Sequence, residues 1–288
     1  MIYARLKGGL GNQMFQYVAG LRMASMYKDT LKLDVTGYEE GGQAKYDTLR
    51  NYRLKAFTLS SEVATSEEAL RARNPYGIVS KVLRRIDQSV FKNTYSDYHP
   101  EYFAKKHRYV EGYFQCEKNF GEVKEKIREE FKLKKEYESK EYSELKKIIQ
   151  ATTGVSVHIR RGDYAKDKIT NAYFGTCSIE YYKQAMNLIR EKVDSPIFYF
   201  FSDDIEWVKS EFGRKEEYVF VSNPKLEDYE ELLLMSTCAH NIIANSSFSW
   251  WGAWLNANPH KIIVAPKKWL NVEPNPQPNI IPEGWITI

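Results

Sequence analysis

The chain has little of what marks several large functional classes. Its three cysteines, Cys116, Cys177 and Cys238, are odd in number and widely spaced. They form neither a disulfide framework nor a metal or redox spacing, and they suit a reducing compartment. Charges interrupt every apolar stretch that could span a bilayer, and the opening MIYARLKGG lacks the apolar core of a signal peptide. No internal repeat is present. Lysines and arginines are spread among nearly as many acids, with no basic stripe interleaved with exposed aromatics, which argues against nucleic acid. The glycine-rich stretch KGGLGNQMFQ, Lys7 to Gln16, lacks the third glycine of a dinucleotide fingerprint, where Met14 stands instead. It also lacks the Gly-Lys-Ser/Thr ending of a P-loop.

What is present describes a soluble globular protein. Of 288 residues, 43% are hydrophobic and 28% charged, enough for two ordinary domains. A net charge of +4 mildly favours an anionic ligand or surface. The 21 tyrosines supply rings able to stack on sugars or bases, although most such rings are core or boundary residues.

Periodicity predicts an α/β fold. Ile2–Leu6, Asn12–Tyr27 and Leu31–Val35 read as strand, helix and strand. Ser60–Gln88 reads as mostly helical, with Lys81, Arg84 and Arg85 on a basic face that would suit solvent or, alternatively, an anionic membrane surface. Arg108–Gln115 reads as a strand. The charged stretch Gly121–Gln150 reads as a helix pair joining two domains, 1–150 and 151–288. Beyond it five strands, Val155–Arg160, Ile197–Phe201, Tyr218–Val221, Asn241–Ala244 and Lys261–Ala265, alternate with helices and predict a doubly wound parallel sheet. The proline-rich tail reads as irregular.

Ligands of open parallel sheets sit beyond the carboxyl ends of the strands, and three polar segments fall there. In GVSVHIRRGDY, Arg160 and Arg161 form either an anion clamp or an ion pair with a carboxylate such as Asp163; their place at a strand end favours the clamp. In FYFFSDD, Ser202, Asp203 and Asp204 either bind a base edge or ribose, or cap the next helix. SDD is not the Asp-x-Asp arrangement of a metal–nucleotide site. In HNIIANSSFSWWGAWL, Asn245, Ser246, Ser247 and Ser249 precede a tryptophan-rich helix whose N-terminus would suit a phosphate. Its tryptophans, Trp250, Trp251 and Trp254, read as core. Cationic groups plus a helix N-terminus, without metal ligands, suit a diphosphate leaving group.

GGLGNQMFQY, HIRRGDY, FSDD and NSSFSWWGAWL, in that order, resemble glycosyltransferase family 11, the α-1,2-fucosyltransferases. GYFQCEKNF, Gly112–Phe120, is also similar to a family segment. HxRRxD alone recurs in other fucosyltransferases; the combination points to family 11. The resemblance implies a GT-B fold of two Rossmann-like domains facing a cleft. It implies GDP-fucose as donor, and inverting, metal-independent transfer to O2 of a terminal β-galactoside on an oligosaccharide or glycolipid. By position, Arg160 would hold the β-phosphate and His158 would lie near the nucleotide. Arg161 and Asp163 would support the loop. Asp203 or Asp204 would meet guanine or ribose, and Ser246 and Ser247 the diphosphate. Gly8, Gly9 and Gly11 would permit close approach, with Asn12 bonding donor or acceptor, and Tyr113 and Gln115 on the acceptor side. Asp163 is the candidate base and Glu111 a weaker one. Animal and plant members carry a membrane anchor, whereas here the first strand follows Met1; this suggests a bacterial cytosolic enzyme making surface glycans. A different linkage, or a non-catalytic nucleotide-sugar binder, are the alternative readings.

Overall fold

The computed structural model describes residues 1–38, 51–77, 79–80, 82, 98, 100–162, 165, 167–271 and 278–288. The expected basic face at Lys81, Arg84 and Arg85, and Asp163, lie outside the described residues. The chain divides into two compact units, Met1–Lys132 with Pro278–Pro282, and Leu133–Gln277 with Glu283–Ile288. Among the described residues, no helix is long and apolar enough to cross a membrane.

In the first unit the strands are β1 (Ile2–Arg5), β2 (Leu31–Asp34), β3 (Glu62–Val63) and β4 (Tyr109–Val110). They pair in parallel in the order β3-β2-β1-β4. Helices α1 (Leu10–Met26), α2 (Ser66–Arg73), α3 (Pro100–Phe103) and α4 (Lys124–Glu130) accompany them. Ile2, Tyr3, Ala4 and Leu6 are all buried, as expected of a strand covered on both faces. Most of α1 is buried as well, and Gly20 explains its close seat. A β-carbon there would lie 2.7 Å from Ala4 Cβ and 2.8 Å from Leu31 Cδ1. Thr65 opens α2 with a reciprocal capping box: its side chain accepts from the Glu68 N–H at 3.2 Å, and Glu68 accepts from the Thr65 N–H at 3.0 Å. The strand expected over Arg108–Gln115 shrinks to Tyr109–Val110. Phe114 has φ +52°, which turns the chain out of extended geometry and buries its ring beside Tyr102 and Phe103.

In the second unit the strands are β5 (Gly154–Ile159), β6 (Ile197–Ser202), β7 (Tyr218–Phe220), β8 (His240–Ile242), β9 (Ile263–Ala265) and β10 (Ile286–Thr287). The order is β10-β9-β8-β5-β6-β7, all parallel. The helices are α5 (Lys140–Gln150), α6 (Lys168–Phe174), α7 (Ile179–Arg190), α8 (Ile205–Phe212), α9 (Asp228–Thr237) and α10 (Ser247–Leu255). Register places Val157 between Phe200 and Ile242, and α7 covers that layer with Tyr182, Ala185, Met186 and Ile189. The tail is not wholly irregular, because Ile286–Thr287 adds a sixth strand beside β9.

The expected boundary at 150 falls at the end of α5, which packs on α9 in the second unit. Its Tyr142 and Ile149 are buried, and the Ser139 N–H at its cap donates to Glu230 Oε1 at 2.7 Å. The stretch is charged, but its apolar stripe has a partner. The tryptophans of α10 are core, as expected: Trp250 and Trp251 are fully buried. Gly252 lets α10 meet α9, since a β-carbon there would lie 2.9 Å from Met235 Cβ.

Candidate functional site

Each sheet reverses its strand order once. In the second unit the chain moves outward from β5 through β6 and β7, then returns to place β8 on the other side of β5. The loops leaving β5 and β8 therefore diverge, and the crevice they open is where a parallel sheet receives a ligand. Arg160 and Arg161 leave β5 there, and Asn245, Ser246 and Ser247 leave β8.

Asp203, just past β6, holds the first loop in shape. One carboxylate oxygen pairs with Arg160 Nη1, and the other accepts the Arg161 backbone N–H at 2.9 Å. The Arg161 guanidinium lies 3.5 Å from the centroid of the Trp207 ring, and its Nε meets Asp204 Oδ2 at 3.4 Å. The alternative to an anion clamp was an ion pair with a carboxylate such as Asp163, which lies outside the described residues; among the described residues Arg160 meets Asp203 and Arg161 meets Asp204, brought alongside because β5 and β6 are neighbours in register. Gly162 is required by this packing, since a β-carbon would fall 2.4 Å from Asp203 Oδ2.

His158 is buried within β5, 5.4 Å from the ring of Phe248 in the first turn of α10. Burial, and then the nearby Arg160 charge, depress its pKa to about 3. The imidazole is therefore neutral at ordinary pH. Its buried Nδ1 has no hydrogen-bond partner. Ser246 caps α10, accepting from the Phe248 N–H at 3.3 Å. Ser249 turns inward to the Ser246 and Ala244 carbonyls. The Asn245 amide reaches the carbonyls of Phe174 at 2.9 Å and Trp269 at 3.1 Å, latching the end of α6 to the loop after β8.

The first unit has the same kind of reversal, with β1 between β2 and β4. The glycine loop leaves β1 and the segment Glu111–Gln115 leaves β4. Here Gln115 Nε2 donates to Asn12 Oδ1 at 2.7 Å, so two residues far apart in sequence share one edge. Tyr113 joins them, with Lys7 Nζ 4.7 Å from its ring centroid. Gly8 takes φ +78°, a conformation that favours glycine. Its carbonyl accepts from Gln13 Nε2 at 3.0 Å and from the Tyr38 hydroxyl at 2.9 Å, while the Lys7 N–H donates to Gln16 Oε1 at 2.8 Å. Gly9 stands at the N-cap of α1 with no side-chain cap, and a β-carbon there would meet nothing within 4 Å. Gly11 is buried within the first turn of α1. Glu111 is tied to Arg5 at 2.6 Å, the structural alternative to a base.

Gln13, Gln16 and Tyr38 were not among the expected site residues. Gln13 and Gln16 sit inside the glycine-loop motif, and their burial on a helix would have been the signal. Tyr38 has no sequence mark, because only folding brings it to Gly8. Among the described residues, no group of three His, Cys, Asp or Glu side chains could hold a metal ion. The arrangement in the second unit can bind an anion through Arg160, Arg161 and the amide end of α10, beside an uncharged imidazole.

Known proteins resemble the chain over its full length. The sequence profile of Glycosyl transferase family 11 matches residues 82–288. The chain is 34% identical to an alpha-1,2-colitosyltransferase of Escherichia coli, over 100% of this chain and 99% of that protein. It is 30% identical to the O-antigen biosynthesis glycosyltransferase WbnK of Escherichia coli, over the full length of both. Human galactoside alpha-(1,2)-fucosyltransferase 1 is 28% identical over 47% of this chain and 40% of its own. Among solved structures, fucosyltransferase NodZ from Bradyrhizobium has the same fold, with a TM-score of 0.53 at 12% identity, covering 87% of this chain and 91% of that one. The chain is a glycosyltransferase and belongs to glycosyltransferase family 11.

Proposed function

We propose that this glycosyltransferase moves L-fucose from GDP-β-L-fucose to O2 of a terminal β-galactoside, with inversion and without a metal ion. The observation that carries the reading is the pair Arg160–Arg161 at the end of β5, beside the capped N-terminus of α10 across the strand-order reversal. The acceptor O2 attacks the fucose anomeric carbon as its bond to the diphosphate oxygen breaks, and that oxygen keeps the electron pair. Arg160 and the amides after Ser246 and Ser247 stabilise the charge that develops there. Asp203 sets the Arg160 fork before the donor arrives, so little reorganisation is spent at the moment of reaction. His158 stays neutral and adds no competing charge. Asn12, Gln115 and Tyr113 take the acceptor side. The proton leaving the acceptor is assigned to Asp163 by position.

The test is GDP release from GDP-fucose in excess EDTA, with and without lactose. Lactose-dependent release, with fucose on the galactose O2, supports the reading; a product fucosylated at another hydroxyl, or EDTA-sensitive release, overturns it. The full-length likeness to an alpha-1,2-colitosyltransferase favours one second reading, transfer of nucleotide-activated colitose. Colitose lacks the 3-hydroxyl of fucose, so the ratio of kcat/KM for the two donors decides between them.

A further inference from the structure

Helix α1 buries two glutamines where its other covered positions are mostly apolar. Gln13 is 0% exposed and Gln16 is 1% exposed. Spaced three apart, they share one face of the helix, and helical side chains lean toward the N-terminus, so both amides reach back to the glycine loop. A leucine or methionine would fill the same space without the cost of drying an amide. Gln13 offsets that cost with three bonds. Its Nε2 donates to the Gly8 carbonyl at 3.0 Å and to the Asn51 carbonyl at 2.9 Å, and its Oε1 accepts the Arg53 N–H at 2.9 Å. Gln16 Oε1 accepts the Lys7 N–H at 2.8 Å.

The Gly8 carbonyl has a second donor, the Tyr38 hydroxyl at 2.9 Å, so both of its lone pairs are taken. This matters because the peptide lies between two glycines. Neither residue has a β-carbon to resist its rotation, and Gly8 already stands at φ +78°. A β-carbon on Gly9 would meet nothing within 4 Å, so packing does not hold the peptide there either. Hydrogen bonds do. In a trans peptide the carbonyl and the next N–H point opposite ways, so fixing the Gly8 carbonyl also turns the Gly9 N–H away from Gln13 and Tyr38. Asn12 lies against this peptide: a β-carbon on Gly8 would stand 2.9 Å from Asn12 Nδ2, while Asn12 Oδ1 accepts from Gln115 Nε2 at 2.7 Å. A turn of the Gly8–Gly9 peptide would therefore disturb the Asn12 amide.

We infer that Gln13 and Tyr38 are positioning residues for acceptor recognition: holding the Gly8 carbonyl between them, they keep the Gly8–Gly9 peptide in one orientation and so seat the Asn12 amide. This rests on the reading of Asn12, Gln115 and Tyr113 as the acceptor side.

The test is steady-state kinetics with GDP-fucose saturating and lactose varied, for the wild type, Tyr38→Phe, Gln13→Leu and the double variant. GDP titration and hydrogen exchange over Lys7–Asn12 accompany it. Tyr38→Phe is expected to raise the lactose KM about fivefold, the worth of one ordinary hydrogen bond, with kcat and GDP affinity within twofold of wild type. A merely structural residue would lower kcat with the active fraction and leave KM alone. Gln13→Leu should raise KM about tenfold. The double variant should raise it by more than the two factors multiplied, because only then does the Gly8 carbonyl lose both donors. Exchange over Lys7–Asn12 should quicken in the same order. Tyr38→Phe removes one hydroxyl from a half-buried side chain and folds whether or not Gln13→Leu does. A lactose KM within twofold of wild type in Tyr38→Phe, GDP affinity falling as far as lactose affinity, or a double variant no worse than the product overturns the inference. A wild type without lactose-dependent release overturns the acceptor reading beneath it, a distinct outcome; unchanged exchange in Tyr38→Phe would then overturn the hold on the loop as well.

Discussion

Asp203 satisfies two partners at once, the Arg160 side chain and the Arg161 amide, and most of the candidate donor site turns on that carboxylate. Arg160→Ala removes the cation placed where leaving-group charge develops. Steady-state kinetics should show kcat/KM lower by about 10²–10³, roughly 3–4 kcal/mol of transition-state stabilisation; a loss under tenfold would remove Arg160 from that role. Gly162→Ala acts indirectly. The new β-carbon cannot stay 2.4 Å from Asp203 Oδ2, so the carboxylate must swing away from the clamp. Donor KM is expected to rise about tenfold, as for one charge-assisted hydrogen bond lost, with little change in melting temperature. At this scale the motifs were legible in the sequence: Arg160, Arg161, Asp203 and Asp204 were all marked as polar groups at strand ends. Their pairing was not, because it depends on β5 lying beside β6 in register, and a single sequence does not state which strands are neighbours. Tyr38 carried no mark at all, since its significance lies wholly in the Gly8 carbonyl that folding sets against it.

Among the elements, long periodic segments were readable and short ones were not. Helices α1, α7, α9 and α10 and strands β5 and β6 lie where apolar periodicity places them, to within a few residues at each end. Strands β3, β4 and β10 have two residues each, too few for any alternation to show. Helix α6 has seven residues, KITNAYF, none of them buried, so no apolar stripe announces it; only the Asp167 cap, accepting the Thr170 N–H at 2.7 Å, marks its start. Close packing between elements gives a separate prediction. Gly20→Ala would force α1 off Ala4 and Leu31, overpacking worth about 1–3 kcal/mol. Thermal melting should fall by several degrees, and an unchanged melting temperature would show that the helix re-seats freely.

For the whole molecule, buried His158 and partly buried Glu231 of the second unit tilt stability with pH in opposite directions. His158 is depressed from its ordinary 6.5 to about 3. The fold therefore resists its protonation, and the stability it contributes is present above pH 6.5 and lost as pH falls toward 3. Glu231 is raised from 4.5 to about 7, so its contribution is present below pH 4.5 and lost as pH rises toward 7. Urea midpoints measured from pH 4 to pH 8 should separate them. His158→Gln is expected to flatten the acid-side decline, and Glu231→Gln the decline toward neutrality. Wild-type slopes retained in both variants would show that neither group is linked to folding in this range.

The amino-acid sequence alone determined the class of the fold, the alternation of strands and helices in the second half, and the motifs by which the family is recognised. Those are local properties: periodicity, caps and short strings of polar residues at strand ends. Tertiary structure alone decided where the units divide, placing α5 with the second one because its apolar stripe meets α9. It also decided that Asn12 meets Gln115 and that Asp203 pairs with Arg160. Each of these joins residues distant in the chain. Such contacts follow from strand order and register, which are set by the burial of whole faces at once and not by any one segment.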